Sequence, residues 1–386
     1  MTKPSSPKDT TNEEIDKSLN RLSLGKKSWP QVTAAKRAVL LRECLTDIMT
    51  LSEEWIATAC RAKSVERGSN DEGEEWLSAF MPVIRNMRQL IEALQANGQP
   101  TLPHTYQRPN GQWVAKVFPA DLKEKAMLAG VTAEVWIAPG KEPTQGHIYQ
   151  AQPAADEESK ISLVLGAGNQ TSIAPMDVLH KLFVENEVVI LKLNPVNAYL
   201  GPYLARTFRA LIEGNFFTLA YGDVEVGKYL CNHPMVESIH ITGSDKTHDA
   251  IVWGVENQKQ RKASGEPVNS RPITSELGCV SPIIIVPGPW SDAQIKFQAR
   301  QIAAMVIQNA SFNCNAGKFL MLPKNWQHTQ QLLDKIRQIF SDTPTREAYY
   351  PGANERYQRF INQYPQAETP GGSAAKGHLP WTLLPQ

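Results

Sequence analysis

The stretch Ile161-Ser162-Leu163-Val164-Leu165-Gly166-Ala167-Gly168-Asn169 is a short aliphatic run that ends in a glycine-rich turn. Such a run, bounded by turn residues, predicts a strand buried on both faces. The same arrangement repeats downstream. A helix is expected from about Pro175, a strand over Val188 to Leu193 and a helix through Leu200 to Ile212. A strand over Phe217 to Ala220, a helix across Val226 to Leu230 and a strand over Val236 to Ile241 follow. Strands that alternate with helices need crossover connections, which are right-handed and yield a parallel, doubly wound sheet. The expected fold class is α/β, with a Rossmann-like sheet domain at its centre.

Upstream, from Glu13 to about Leu94, apolar residues recur at helical spacing, as in Leu40-Leu41, Cys44-Leu45 and Ile48-Met49. This predicts an amphipathic helical lead. Trp113 to Val117 and Ala133 to Ile137 read as strands separated by turns such as Pro109-Asn110-Gly111. Pro139-Gly140 and the polar stretch Gln152 to Lys160 bracket a hairpin or bridging arm near 133–160. Downstream, the polar and basic segment Gln258 to Asn269 reads as a loop. A second α/β block then contains Ile283 to Val286, a helix over Ala293 to Gln308, Cys314 and a strand over Lys318 to Leu322. The boundary is expected near Pro272, giving domains 1–271 and 272–386, with Ala367 to Lys376 a loop.

A chain of 386 residues with 41% hydrophobic content can bury a sizeable core. Its net charge of +1 argues against an electrostatic surface for nucleic acid or anionic membrane, so small molecules are the expected partners. Five scattered cysteines, Cys44, Cys60, Cys231, Cys279 and Cys314, suit reduced thiols in a cytoplasmic compartment. The polar N-terminus offers no signal peptide, and no apolar run approaches the roughly 18 residues of a membrane span.

Cys314 stands in Asn309-Ala310-Ser311-Phe312-Asn313-Cys314, among small and amide side chains and with no second cysteine nearby. A nucleophile is therefore worth testing, although most free cysteines are small buried hydrophobes, the reading given to Cys44, Cys60 and Cys279. Cys231 and His233 lack the second pair that a structural metal site needs, so no metal is expected. His240 and His248 read as surface or capping residues. Glu276, in Thr274-Ser275-Glu276-Leu277-Gly278-Cys279, has uncharged neighbours, and burial there would raise its pKa toward that of a general base. Asn169 sits on a strand-to-helix turn, where its amide could leave the edge of the sheet. Gly166-Ala167-Gly168 lacks the third glycine of a dinucleotide fingerprint, and Glu185 and Glu187 precede the next strand instead of ending it. Thr242-Gly243-Ser244, between a strand and a helix, is the better phosphate candidate, since glycine permits close approach and helix N–H groups attract anions.

Taken in order, these elements resemble the aldehyde dehydrogenase superfamily. Its Glu-Leu-Gly-Gly-Lys-Ser-Pro and Asn-x-Gly-Gln-x-Cys signatures correspond to Glu276-Leu277-Gly278-Cys279-Val280-Ser281-Pro282 and to Asn309 through Cys314. Val189-Ile190-Leu191-Lys192 matches the family strand whose lysine binds the adenine ribose, and Thr242-Gly243-Ser244 its phosphate site. The resemblance implies Cys314 as nucleophile, Asn169 as oxyanion donor and Glu276 as the base that activates water. It implies NAD or NADP as cofactor, held by Lys192, Gly243, Ser244 and Leu277, with an aldehyde substrate and a homo-oligomeric full-length form. The acid usually three positions after the lysine is Pro195, the tryptophan usual before the oxyanion Asn is Gly168, and Gly-Gln before the nucleophile is Ser311-Phe312. The Glu-x-Phe-Gly-Pro motif and the oligomerisation strand are absent, so a divergent, C-terminally truncated member is expected. Two other readings remain open: a cofactor-free cysteine esterase or hydrolase, and a catalytically dead cofactor-binding protein.

Overall fold

In the computed structural model, residues 4, 7–145, 149, 154 and 156–385 are described. The helical lead forms for reasons written in its caps. The Thr11 hydroxyl accepts from the Glu14 N–H, and the Glu14 carboxylate accepts from the Thr11 N–H, closing a capping box at the start of helix Asn12–Ser28. Thr33 caps Ala34–Thr50 in the same way with its hydroxyl alone. Helix Ser52–Lys63 then stops where Ser64 turns left-handed, and a π-helical turn, Glu75–Phe80, leads into Met81–Gln95.

Strands β1 (Thr105–Gln107), β2 (Trp113–Phe118) and β3 (Ala133–Trp136) form a small antiparallel sheet around the expected turn. The expected arm continues into residues 146–148, 150–153 and 155, which lie outside the described residues. Next come β4 (Ile161–Leu165), β5 (Val188–Lys192), β6 (Phe217–Ala220), β7 (Ser238–Thr242) and β8 (Ile273–Glu276). They form one parallel sheet in the order β6-β5-β4-β7-β8. β5 is buried at every position and β4 at four of five, as expected of central strands covered on both faces. β8, which begins just after Pro272, belongs to this sheet.

The helical lead packs onto this sheet and shares its core. Trp29 is fully buried, donates from Nε1 to the Leu182 carbonyl at 3.1 Å and meets Phe183 edge-on. The buried Arg37 guanidinium lies over the Trp29 ring and donates to the Trp29 and Val32 carbonyls and to Asn186 Oδ1. Burial pushes its pKa down, yet guanidinium starts so high that it stays charged.

A second core gathers Ile285, Ile295, Ala299, Ile302, Leu332, Ile336, Phe340 and Trp381. It lies between helices Asp292–Ile307 and Thr329–Asp342 and the parallel pair β9 (Pro282–Ile284) and β10 (Phe319–Met321). Two helices replace or extend the expected loops. Gln258–Ser264 is helical where a loop was expected; its sequence, QKQRKAS, buries no residue and so carries no apolar period. Ala353–Gln363 adds a helix near the C-terminal end. No helix among the described residues is long and apolar enough to cross a membrane.

If Trp29 joins the helical lead to the sheet, Trp29→Ala should cost about 3–5 kcal/mol in urea unfolding. Val255→Ser, at a position 81% exposed, should change stability by no more than about 0.5 kcal/mol. Equal losses in the two variants would contradict this placement of the core.

Candidate active site

Parallel strands point their C-terminal ends the same way, so the turns that follow them collect along one edge. The turn after β4 carries Gly168 and Asn169, that after β7 carries Gly243 and Ser244, and β8 ends at Glu276. Gly243 N–H donates to the Glu276 carbonyl at 3.0 Å, tying the last two together. All five residues, with Leu277 and Cys314, line one cavity of about 750 Å³. Lys192, at the end of β5, lies outside this lining.

Cys314 reaches the cavity through an unusual approach. Asn309, Ala310 and Ser311 all have positive φ, at 51°, 51° and 66°, a run that L-residues adopt at a cost of about 1–2 kcal/mol each. The run turns the chain sharply after helix Asp292–Ile307, and Cys314 follows it exposed, rather than at a helix start. Two hydrogen bonds seat this loop on the β4 turn: Asn169 Nδ2 donates to the Phe312 carbonyl and Asn309 Nδ2 to the Asn169 carbonyl, both at 2.9 Å. Gln170 Nε2 adds a third, to Asn313 Oδ1 at 2.8 Å. One of the two Asn169 amide hydrogens is thus engaged, leaving the other for a ligand.

Glu276 is exposed rather than buried. It ends an edge strand, so the expected burial is absent, and only its position beside the cavity remains in its favour. Cys279 is also exposed, contrary to its reading as a buried hydrophobe; the Ser281 N–H and hydroxyl donate to its sulfur and hold its pKa below the ordinary thiol value. Cys44, Cys60 and Cys231 are buried, and burial pushes their thiols up to about 12, 11 and 11. Glu185 and Glu187 both pair with the buried Lys181, a structural use. His240 is not a surface residue: it lies between Thr274 and Thr242, with Asp177 3.6 Å away, and braces β7 against β8.

The sites expected to hold a nucleotide have uneven support in the geometry. Ser244 caps the nine-residue helix Asp245–Trp253 and is exposed with Gly243, where a Cβ would meet only ordinary contacts. First-turn N–H groups there suit a phosphate, although the Asp245 carboxylate shares the cavity. Lys192 is buried, and among the described residues its ammonium has no hydrogen bond or ion pair. Burial pushes its ammonium pKa down, while the charges of Asp223 and Asp9 oppose that shift. An ammonium so placed is short of acceptors, which ribose hydroxyls or phosphate would supply.

Several cavity residues carried no sequence signal. Lys318 donates to the Ser311 carbonyl at 2.9 Å, Arg346 lines the wall while bound to Glu74 at 2.6 Å, and Tyr350 stands over the β4 turn. Tyr350 also explains Gly168, since a Cβ there would lie 2.9 Å from its hydroxyl and 2.7 Å from Asn194 Cγ. The space beside Gly168 is filled by Tyr350 from the C-terminal segment and by Asn194.

The profile of the aldehyde dehydrogenase family matches residues 169–369, more than half of the sequence, and the chain belongs to that family. A curated relative from Staphylococcus haemolyticus, named as an aldehyde dehydrogenase, is 28% identical over 175 residues, 45% of this chain and 32% of the relative. The match therefore spans about a third of that relative's length. Among solved structures, a salicylaldehyde dehydrogenase from Pseudomonas putida in complex with salicylaldehyde superposes with a TM-score of 0.64 at 13% identity, covering 97% of this chain and 68% of that one. An aldehyde dehydrogenase from Bartonella henselae gives 0.66 at 14% identity, covering 98% and 70%. At such identities the structures establish the shared fold.

Thiol labelling tests the site's accessibility. Because hydrogen bonds favour the Cys279 thiolate, its alkylation should rise with pH around a midpoint below the ~8.5 of an ordinary thiol. Cys314 should be the second residue modified in the folded protein, while Cys44, Cys60 and Cys231, protonated and buried, stay unmodified until unfolding. Labelling of those three in the native state, read by peptide mass spectrometry, would contradict the structure.

Proposed function

We propose that the chain carries the site of an NAD(P)-dependent aldehyde dehydrogenase that oxidises an aldehyde to a carboxylic acid. The observation that supports this most is the convergence of Asn169, Glu276 and Cys314 on one cavity from three separate segments. Cys314 gives its thiol proton to water, its Sγ attacks the carbonyl carbon, and the oxygen that becomes negative is held by the free N–H of Asn169 and by the Cys314 backbone N–H. Bound NAD or NADP supplies the hydride acceptor. Once the hydride has left, the acyl group remains on Sγ as a thioester. Glu276, exposed to the cavity, takes a proton from the water that cleaves it, and the thiol is released. Lys192 holds the adenine ribose, while Gly243, Ser244 and the backbone around Leu277 border the phosphate and nicotinamide ends. The substrate is a small-molecule aldehyde, and the setting is cytoplasmic.

Of the two cofactors, NAD fits better. Asp223 and Asp9 both act on Lys192, and Asp9 is brought to Gly222 by hydrogen bonds between Thr10 and Tyr221. These carboxylates bring negative charge to the surroundings of Lys192 and would repel a 2′-phosphate.

Cys314→Ser should abolish aldehyde-dependent NADH formation, and Asn169→Ala should slow it about 10²–10³-fold. Full activity in Cys314→Ser would favour neither a dehydrogenase of this mechanism nor a cysteine hydrolase. Lys192→Met should weaken NAD binding about tenfold or more, measured by tryptophan quenching. It should not lower Tm, because it removes a buried charge that has no carboxylate at ion-pair distance. A large drop in Tm with unchanged NAD affinity would assign Lys192 to the core alone.

A further inference from the structure

The helical lead reaches the site through a buried ion pair. Lys63 Nζ lies 2.7 Å from Glu75 Oε1, and both side chains are only 2% exposed. Two charges withdrawn from water gain little net stability over apolar residues of similar volume, so their placement calls for another use. Lys63 Nζ also donates to Asn309 Oδ1 at 3.1 Å.

That contact fixes the Asn309 amide. Lysine has donors only, so the atom facing it must be the amide oxygen. The Tyr349 hydroxyl, which burial keeps protonated by pushing its pKa up, lies 3.0 Å from this oxygen and 2.9 Å from the Asn169 carbonyl and shares its one proton between them. The amide nitrogen then faces the Asn169 carbonyl at 2.9 Å and Asn313 Oδ1 at 3.0 Å. The Asn309 backbone N–H is held as well, by Glu74 Oε2 at 3.1 Å. Every polar group of this side chain has a partner, and the first left-handed residue of the loop is locked where Cys314 must follow.

We propose that the Lys63–Glu75 pair is a positioning device which, through Asn309, holds the nucleophile loop against the Asn169 turn. This rests on the dehydrogenase reading for its effect on turnover, but the placement of the loop can be measured without it. Neither residue touches the cavity.

The single variant Lys63→Met leaves a buried, unpaired Glu75 and is expected to destabilise the protein. The double variant Lys63→Met/Glu75→Leu removes both charges and should fold with a Tm near that of the wild type. Hydrogen exchange should then quicken about tenfold or more in residues 309–317 and stay unchanged in β4 and β5. kcat should fall about 10²-fold at unchanged KM for NAD, as expected when a reacting group is misplaced without loss of the cofactor site. Wild-type exchange in 309–317 would overturn the proposal, and so would quickened exchange throughout the sheet, because the pair would then support the fold and not this loop. Wild-type protein with no turnover on any aldehyde would defeat the dehydrogenase reading, while the exchange comparison would still decide the role of the pair.

Discussion

Two hydrogen bonds of 2.9 Å, from Asn169 Nδ2 to the Phe312 carbonyl and from Asn309 Nδ2 back to the Asn169 carbonyl, carry the geometry of the site. Each half of the chain has its own core, one shared by the helical lead and the parallel sheet, the other gathered around helices Asp292–Ile307 and Thr329–Asp342. The cavity exists because the loop of the second is seated on a turn of the first. Backbone carbonyls accept on both sides, so the seat depends on the two turns keeping their shape. On one side that shape is set by a buried strand; on the other it needs three consecutive residues in the left-handed region.

Strain of that kind persists only where the surroundings over-determine it. Here they do: Asn309 is held through its backbone by Glu74 and through its side chain by Lys63, Tyr349, Asn169 and Asn313. Arg346 completes the enclosure by pairing with Glu74 and Asp71. The loop is thus supported from the helical lead, the sheet and the C-terminal segment at once. On the proposed reading of Cys314 as nucleophile, a thiol held in this way starts near its reacting position, and little ordering is left for substrate binding to supply.

The sheet was the part of the fold most legible in the sequence. The run Ile161 to Leu165 and the run Phe217 to Ala220 are strands over those same residues: the first is central and apolar at nearly every position, the second is an edge strand that ends at a polar turn. The gathering of Asn169, Gly243, Ser244 and Glu276 along one edge follows from the sheet, since parallel strands send their following turns the same way, whereas Cys314 comes to the cavity from a separate loop. What the residues around Glu276 concealed was its exposure, because small, uncharged neighbours look alike in a core and on the edge strand β8. Cys279 was misread for the same reason. Helix Gln258–Ser264 gave no periodic signal because it buries nothing. Lys63 and Tyr350 act through contacts across long sequence separations, and a single lysine or tyrosine has no local pattern that distinguishes such a role.

The central claim is that Cys314 carries an acyl group which Glu276 helps to release. Incubating Glu276→Gln with NAD and an aldehyde, quenching in acid and weighing the Cys314 peptide tests it most directly. The account predicts a stoichiometric mass increase equal to the acyl group on Cys314, formed with an equal burst of NADH. An unmodified Cys314 alongside continuing NADH production would contradict it.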